Sequence, residues 1–178
     1  MSTYKYDAYE QLTKHFNCRE FRCKCGSTHD YQVNDKLATK LEELFAELGC
    51  SKIIVNSGFR CPPHSVLVGG YAGDEHTLGN AADIVCYGAD GKVIDTQKVC
   101  CAAQDLEFSG IGRIDYSATH VDVSTRRTWR GDELTGYVSK SIPGNDFYSY
   151  FGIKKPKKTK KVTLIIDDHE YSGLLEEV

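Results

Sequence analysis

The chain has 178 residues, room for one domain of ordinary size and a short appendage. Its apolar content of 40% and charged content of 26% describe a globular protein and exclude a disordered one. A net charge of −3 gives no drive toward nucleic acid, and no apolar run approaches the roughly 18–20 residues of a membrane span, so neither nucleic-acid binding nor membrane insertion is expected.

Tyr9, Leu12 and Phe16 recur at helical spacing and predict a short helix between Tyr4 and Phe16. Cys18 to Tyr31 has neither helical nor strand period and reads as loop. Asn34 is positioned to cap an amphipathic helix that carries Leu37, Leu41, Leu44, Phe45 and Leu48 on one face and ends at Gly49. Lys52 to Asn56 is a short apolar strand that delivers Ser57-Gly58-Phe59-Arg60 to its end. Ala81 to Cys86 alternates as a second strand, so Asp83 should project from a sheet. Gly88-Ala89-Asp90-Gly91 is a turn signal. Asp95 to Leu106 fits a second helix with Val99, Ala102, Ala103 and Leu106 inward, and only one of the adjacent Cys100 and Cys101 is expected to face the core. Gly110–Ile114 and Ala118–Val123 read as paired strands around an Asp115-Tyr116-Ser117 turn, with His120 in the last strand and Trp129 beyond it. Helices on a small, mostly antiparallel sheet make this an α+β chain.

After Phe151 the composition changes. Residues 1–152 are expected to form the main domain, 153–161 a basic linker containing Pro156, and 162–178 a C-terminal β-hairpin appendage. A lone hairpin is marginal in water and would leave Leu164, Ile166, Leu174 and Leu175 wet, so this one should dock on the main domain or pair with another copy of the chain. The N-terminus, Met1 to Asp7, lacks the basic-then-apolar order of a secretory signal, and the protein is expected to remain in the cytoplasm as synthesised.

Two histidines and one aspartate, His76, Asp83 and His120, offer two imidazoles and a carboxylate. That donor set suits one zinc ion per chain with its fourth position open to water, and it also suits non-haem iron. Zinc lowers the pKa of a bound water to near neutrality, which makes a hydrolytic nucleophile. Gly79, Ala81 and Ala82 let the backbone pass close to the ion. Hydrolysis also needs a carboxylate to take the water's proton. Asp122, two residues after His120 on a strand and so on the same side, is the favoured candidate, with orientation of His120 as its other possible role. Asp115, at the preceding turn, is the second candidate; Asp74 and Glu75 add negative charge beside the metal and could instead assist proton transfer. Arg60 can clamp a substrate carboxylate or stabilise an oxyanion. Arg113, Arg126, Arg127 and Arg130 are weaker candidates for contacting an anionic peptide, and Trp129 is either a cleft wall or core. His15, His29, His64 and His169 lack such company, although His64 could line the cleft. Without a signal peptide the eight cysteines read chiefly as buried, reduced thiols, with a second, structural metal on Cys23, Cys25 and Cys61 as the alternative.

Taken together, Ser57-Gly58-Phe59-Arg60, Val68-Gly69-Gly70, the His76…Gly79…Asp83 spacing and Gly110-Ile111-Gly112…His120-Val121-Asp122 resemble the zinc D-Ala-D-Ala carboxypeptidase family. That family includes phage endolysins and shares its metal site with hedgehog domains. The Cys18-Arg19-Glu20-Phe21-Arg22-Cys23-Lys24-Cys25-Gly26 segment is similar to its small bacterial and phage members. The resemblance spans roughly residues 9–130 and implies a hedgehog/DD-peptidase-like zinc domain that cuts peptidoglycan stem or bridge peptides. Its nearest variants are a carboxypeptidase or dipeptidase, and a cell-wall-binding module that has lost catalysis. It further implies an endolysin that stays in the cytoplasm until released to the cell wall. Many members carry an acidic residue three before the last His ligand and Ser two before the first; here these are Ser117 and Asp74.

Overall fold

The computed structural model of the chain describes residues 1–131, 138–157, 159–166 and 169–176. A short strand β1 (Ser2–Tyr4) pairs antiparallel with β2 (Tyr31–Val33). Helix α1 (Asp35–Glu47) follows, then β3 (Lys52–Ser57), the short helix α2 (Pro62–Leu67) and β4 (Ala81–Tyr87). Helix α3 (Thr96–Asp105) leads to β5 (Gly110–Arg113), β6 (Thr119–Asp122), β7 (Arg127–Arg130) and β8 (Lys140–Ser141). Helix α4 (Phe147–Phe151) precedes the hairpin of β9 (Thr159–Ile166) and β10 (His169–Glu176).

Six strands form the central sheet in the order β3-β4-β6-β5-β7-β8. Every pairing is antiparallel except β5 with β7. The α+β architecture with a mostly antiparallel sheet is the one the sequence predicts. Asn34 caps α1 as expected, its side-chain oxygen accepting from the Lys36 amide at 3.0 Å, a contact worth about 1 kcal/mol. Leu37, Leu41 and Leu44 on that helix are fully buried against the sheet.

Period-two alternation sorts the strands into a core face and a site face. Ala82, Ile84 and Cys86 of β4, Ile111 of β5 and Val121 of β6 belong to the core cluster beneath α1 and α3. The intervening residues, Asp83 on β4, Gly110 and Gly112 on β5, and His120 and Asp122 on β6, therefore fall on the opposite face. Register completes the arrangement: Asp83 pairs with His120, and Gly112 pairs with His120 from the other side.

Four local expectations need correction. Tyr4–Phe16 is not a helix: the Leu12 and Thr13 backbone amides donate forward to the Phe16 carbonyl, and the Gln11 side-chain amide donates from Nε2 to the Thr13 and Phe16 carbonyls. This folded-back loop buries Phe16 and leaves Tyr9 67% exposed, whereas a helix would have put both on one face. Cys18–Phe21 is a single 3₁₀ turn closed by a capping box between Asn17 and Glu20. Cys100 and Cys101 are both buried, because α3 packs on β5 and β6 on one flank and meets α1 and α4 on others. His120 is not in the last strand of the sheet; Trp129 lies in β7, held by its parallel pairing with β5.

The tail forms the expected antiparallel hairpin, but β9 starts at Thr159, inside the segment read as linker. Of the apolar side chains expected to be left wet, Ile166 is 55% exposed. The side chains of Leu164, Leu174 and Leu175 lie outside the described ones.

Candidate metal centre and cleft

His76 comes from the turn-rich segment between α2 and β4, Asp83 from β4 and His120 from β6. Asp83 Oδ1 lies 2.9 Å from His120 Nδ1 and 3.3 Å from His76 Nε2, and the two ring nitrogens are 3.3 Å apart. A tetrahedral ion with ligand distances of about 2.0–2.1 Å sets its ligands roughly 3.3–3.4 Å from one another. The three atoms already outline one face of such a tetrahedron, so the residues fit the metal that their types suggest.

Each of the three is held in the orientation that ligation requires. His76 donates from Nδ1 to the Gly58 carbonyl at 2.7 Å, which leaves Nε2 as the bare nitrogen facing the site. His120 donates from Nε2 to Asp122 Oδ2 at 3.3 Å and presents Nδ1. Arg60 donates from Nη2 to Asp83 Oδ2, which turns the other oxygen toward the histidines, and its Nε is fixed on the Ser57 hydroxyl at 2.8 Å. Burial alone would push the Asp83 carboxyl up; hydrogen bonds from His120 and His76, and their charge, hold it well below its ordinary range. Burial likewise lowers His120, but the flanking Asp122 and Asp83 overcome it and raise this imidazole to about 9. Two carboxylates around one imidazole make a site that attracts a cation.

The glycines of Gly110-Ile111-Gly112 explain how this face stays open. A Cβ on Gly110 would fall inside the Asp122 carboxylate, and one on Gly112 inside the Trp129 indole. Only a strand without side chains at those positions lets Asp122 lie behind His120 and Trp129 lie beside it, ring centroids 5.7 Å apart.

A cleft of about 460 Å³ opens over the triad. Its walls include Arg60, Glu75, Arg127 and Trp129, together with Val68-Gly69-Gly70. Of the two sequence readings of Trp129, the structure supports the cleft wall. Among the weaker arginine candidates, Arg127 reaches the cleft, whereas Arg113 is buried on the Thr96 hydroxyl at 2.7 Å.

The two aspartates expected to take a proton lie elsewhere. Asp122 does share the strand face with His120, but its carboxylate is fully buried behind the ring. Oδ2 accepts from His120 and, at 3.0 Å, from Arg127, while Oδ1 accepts from the Ser124 amide at 3.0 Å. Its geometry is that of a residue that orients His120. Asp115 spends its Oδ1 on the Ser117 and Ala118 amides, closing the β5–β6 turn. Neither belongs to the cleft wall. Asp74 is consumed as well: it accepts from the Ser65 hydroxyl and the Thr77 amide and braces the His76 segment. Glu75 is the carboxylate on the wall, among the described residues, that is neither in the triad nor such a brace; Asn80 steadies it through one oxygen at 3.0 Å.

Of the other histidines, His15 is an ordinary hydrogen-bonded residue as expected, and His64 does not line the cleft. His15 bonds Glu42 at 2.6 Å and stacks on Phe45. His64 lies instead in a separate pocket with Cys25, His29 and Cys61. All eight cysteines are free thiols.

The profile of the Peptidase M15 family matches residues 14–122, more than half of the chain, and ends on Asp122. Comparison with curated proteins gives no match.

Proposed function

Because the chain belongs to the Peptidase M15 family, whose members are zinc-dependent peptidases, we propose that it hydrolyses an amide bond in the stem or bridge peptide of peptidoglycan, as an endolysin does. His76, Asp83 and His120 are the residues that would hold the zinc. When bound there, zinc supplies Lewis acidity toward the scissile carbonyl and an acidified water.

The chain's own groups supply the rest. Glu75 accepts the proton of the attacking water and returns it to the departing amine. Arg60 and Arg127 on the cleft wall bind carboxylate groups of an anionic peptide, and Arg60 also keeps Asp83 in place. Trp129 forms a rigid apolar wall against which a peptide backbone can lie. Asp122 positions His120 without touching substrate.

The observation that carries this reading is the triad with its metal-sized spacing at the base of a cleft flanked by two arginines. A hydrolase should release new amine groups from purified cell walls, and a chelator should stop the release. Binding to cell walls without any amine release, with zinc present, would favour the lapsed binding module instead.

A further inference from the structure

Three of the cysteines and one histidine gather at a place the peptidase chemistry does not use. Cys23 and Cys25 follow the 3₁₀ turn, His29 lies four residues further on, and Cys61 sits at the start of α2. One ligand atom from each lies within 4.8 Å of all the others. Cys25 Sγ and His29 Nε2 are 3.2 Å apart. A zinc tetrahedron of three thiolates and one imidazole has edges of about 3.6–3.8 Å, so the group stands within roughly an ångström of that geometry.

The surroundings favour a metal over four unrelated side chains. His29 donates from Nδ1 to the Asp30 carbonyl at 2.9 Å, which leaves Nε2 bare and facing the sulfurs. The Cys61 amide donates to Cys23 Sγ at 3.3 Å and the Ser27 amide to Cys25 Sγ at 3.4 Å, bonds that support sulfur carrying negative charge. Cys23 is buried and the other three are partly exposed, which gives an ion an entry path. Cys23-Lys24-Cys25 is too short for a Cys-x-x-Cys knuckle, and the fold overcomes this by bringing Cys61 in from 36 positions along the chain.

We propose that Cys23, Cys25, His29 and Cys61 form a second, structural zinc site. Its place in the fold says what it does. It ties the 22–30 loop to the segment between β3 and α2. That segment carries Gly58, whose carbonyl orients His76, and Arg60, which orients Asp83. Phe59 already donates from its amide to the Phe21 carbonyl at 2.8 Å, and Lys24 reaches the Val55 carbonyl at 3.1 Å. The ion completes this seam, so the loop acts as a buttress for the cleft. Binding releases the thiol protons to solvent.

The test uses the full chain purified under reducing conditions. Elemental analysis should give about two zinc ions per chain, falling to about one in His120→Ala, because that change leaves the thiolate set intact. Cobalt loaded into His120→Ala should show thiolate-to-cobalt charge-transfer absorption. Cys25→Ser with Cys61→Ser should abolish that absorption; if the double variant fails to fold, the cobalt spectrum of the His120→Ala chain decides alone. A His120→Ala chain that holds no metal, a cobalt form without the thiolate bands, or an intact mass showing a disulfide among these cysteines would overturn the proposal. None of these readouts depends on peptidase activity.

Discussion

Replacing Asp122 by Asn separates an orienting role from a catalytic one. The wild-type carboxylate accepts three hydrogen bonds in a fully buried position, from His120, Arg127 and the Ser124 amide. An amide of the same shape has one oxygen. With that oxygen toward His120 and Arg127, its NH₂ group faces the Ser124 amide donor; turned around, it faces the His120 and Arg127 donors. The first orientation exchanges one charge-assisted bond for a donor–donor contact and the second exchanges two, so the smaller loss, about 1.5–3 kcal/mol, belongs to the first. An outer partner of a metal-bound histidine typically accounts for roughly 10–100-fold in metal affinity, which is about 1.4–2.8 kcal/mol, so the two estimates agree. Asp122→Asn should therefore weaken zinc binding at the cleft site by one to two orders of magnitude, read by competition with a chromophoric chelator. Activity at saturating zinc should recover most of the wild-type rate. Zinc affinity within about twofold of wild type combined with a hundredfold loss of turnover would refute this reasoning and return Asp122 to the role of proton acceptor.

Glu75→Gln should do the reverse, lowering kcat by about 10²-fold or more at unchanged zinc affinity; normal turnover in a zinc-loaded Gln variant would remove Glu75 from the chemistry. Gly112→Ala should cost about 1–3 kcal/mol in a thermal or denaturant melt, because the new methyl occupies space held by the Trp129 indole. A melt within experimental error of wild type would mean that Trp129 is not held against β5. We also propose that the C-terminal hairpin mediates self-association, on the strength of Ile165, Ile166 and Tyr171, which are 73%, 55% and 57% exposed. Truncation after Phe151 should leave zinc binding and small-substrate hydrolysis intact and lower the mass seen by light scattering; an unchanged monomer mass excludes that role.

Where local pattern and tertiary packing agree, the sequence is readable. The Asn34 cap and the Leu37/Leu41/Leu44 stripe define α1 from within their own stretch. Alternation in Ala81–Cys86 puts Asp83 on the site face without reference to the rest of the chain. The triad was legible because His76 and Asp83 are close in sequence and His120 lies on a strand whose neighbours repeat at period two. Other features depend on partners far away in sequence. Arg127-Thr128-Trp129-Arg130 has no strand pattern of its own and becomes β7 by pairing parallel with β5. Tyr9, Leu12 and Phe16 match a helical period, yet Gln11 competes for the backbone carbonyls and breaks it. Same-face logic placed Asp122 next to His120 correctly, but not on which side of the ring it lies. That depends on the missing side chain at Gly110 and on Arg127. His29 was the residue missed at the cysteine cluster. Its signal was proximity to Cys23 and Cys25, and its significance appears only once Cys61 arrives from the next segment.

The chain belongs to a family of zinc peptidases, and the central proposal is that its His76–Asp83–His120 centre cuts cell-wall peptides. Mass spectrometry of purified peptidoglycan digested by the wild-type chain and by His120→Ala, both supplied with zinc, tests it most directly. The wild type should yield fragments that have gained one water at a single type of peptide bond in the stem or bridge, or that have lost a terminal D-Ala. His120→Ala, folded and keeping its cysteine-bound zinc, should yield none. Identical fragment patterns from the two proteins, or no new fragments from a zinc-replete wild type on walls of several peptide compositions, would contradict the account.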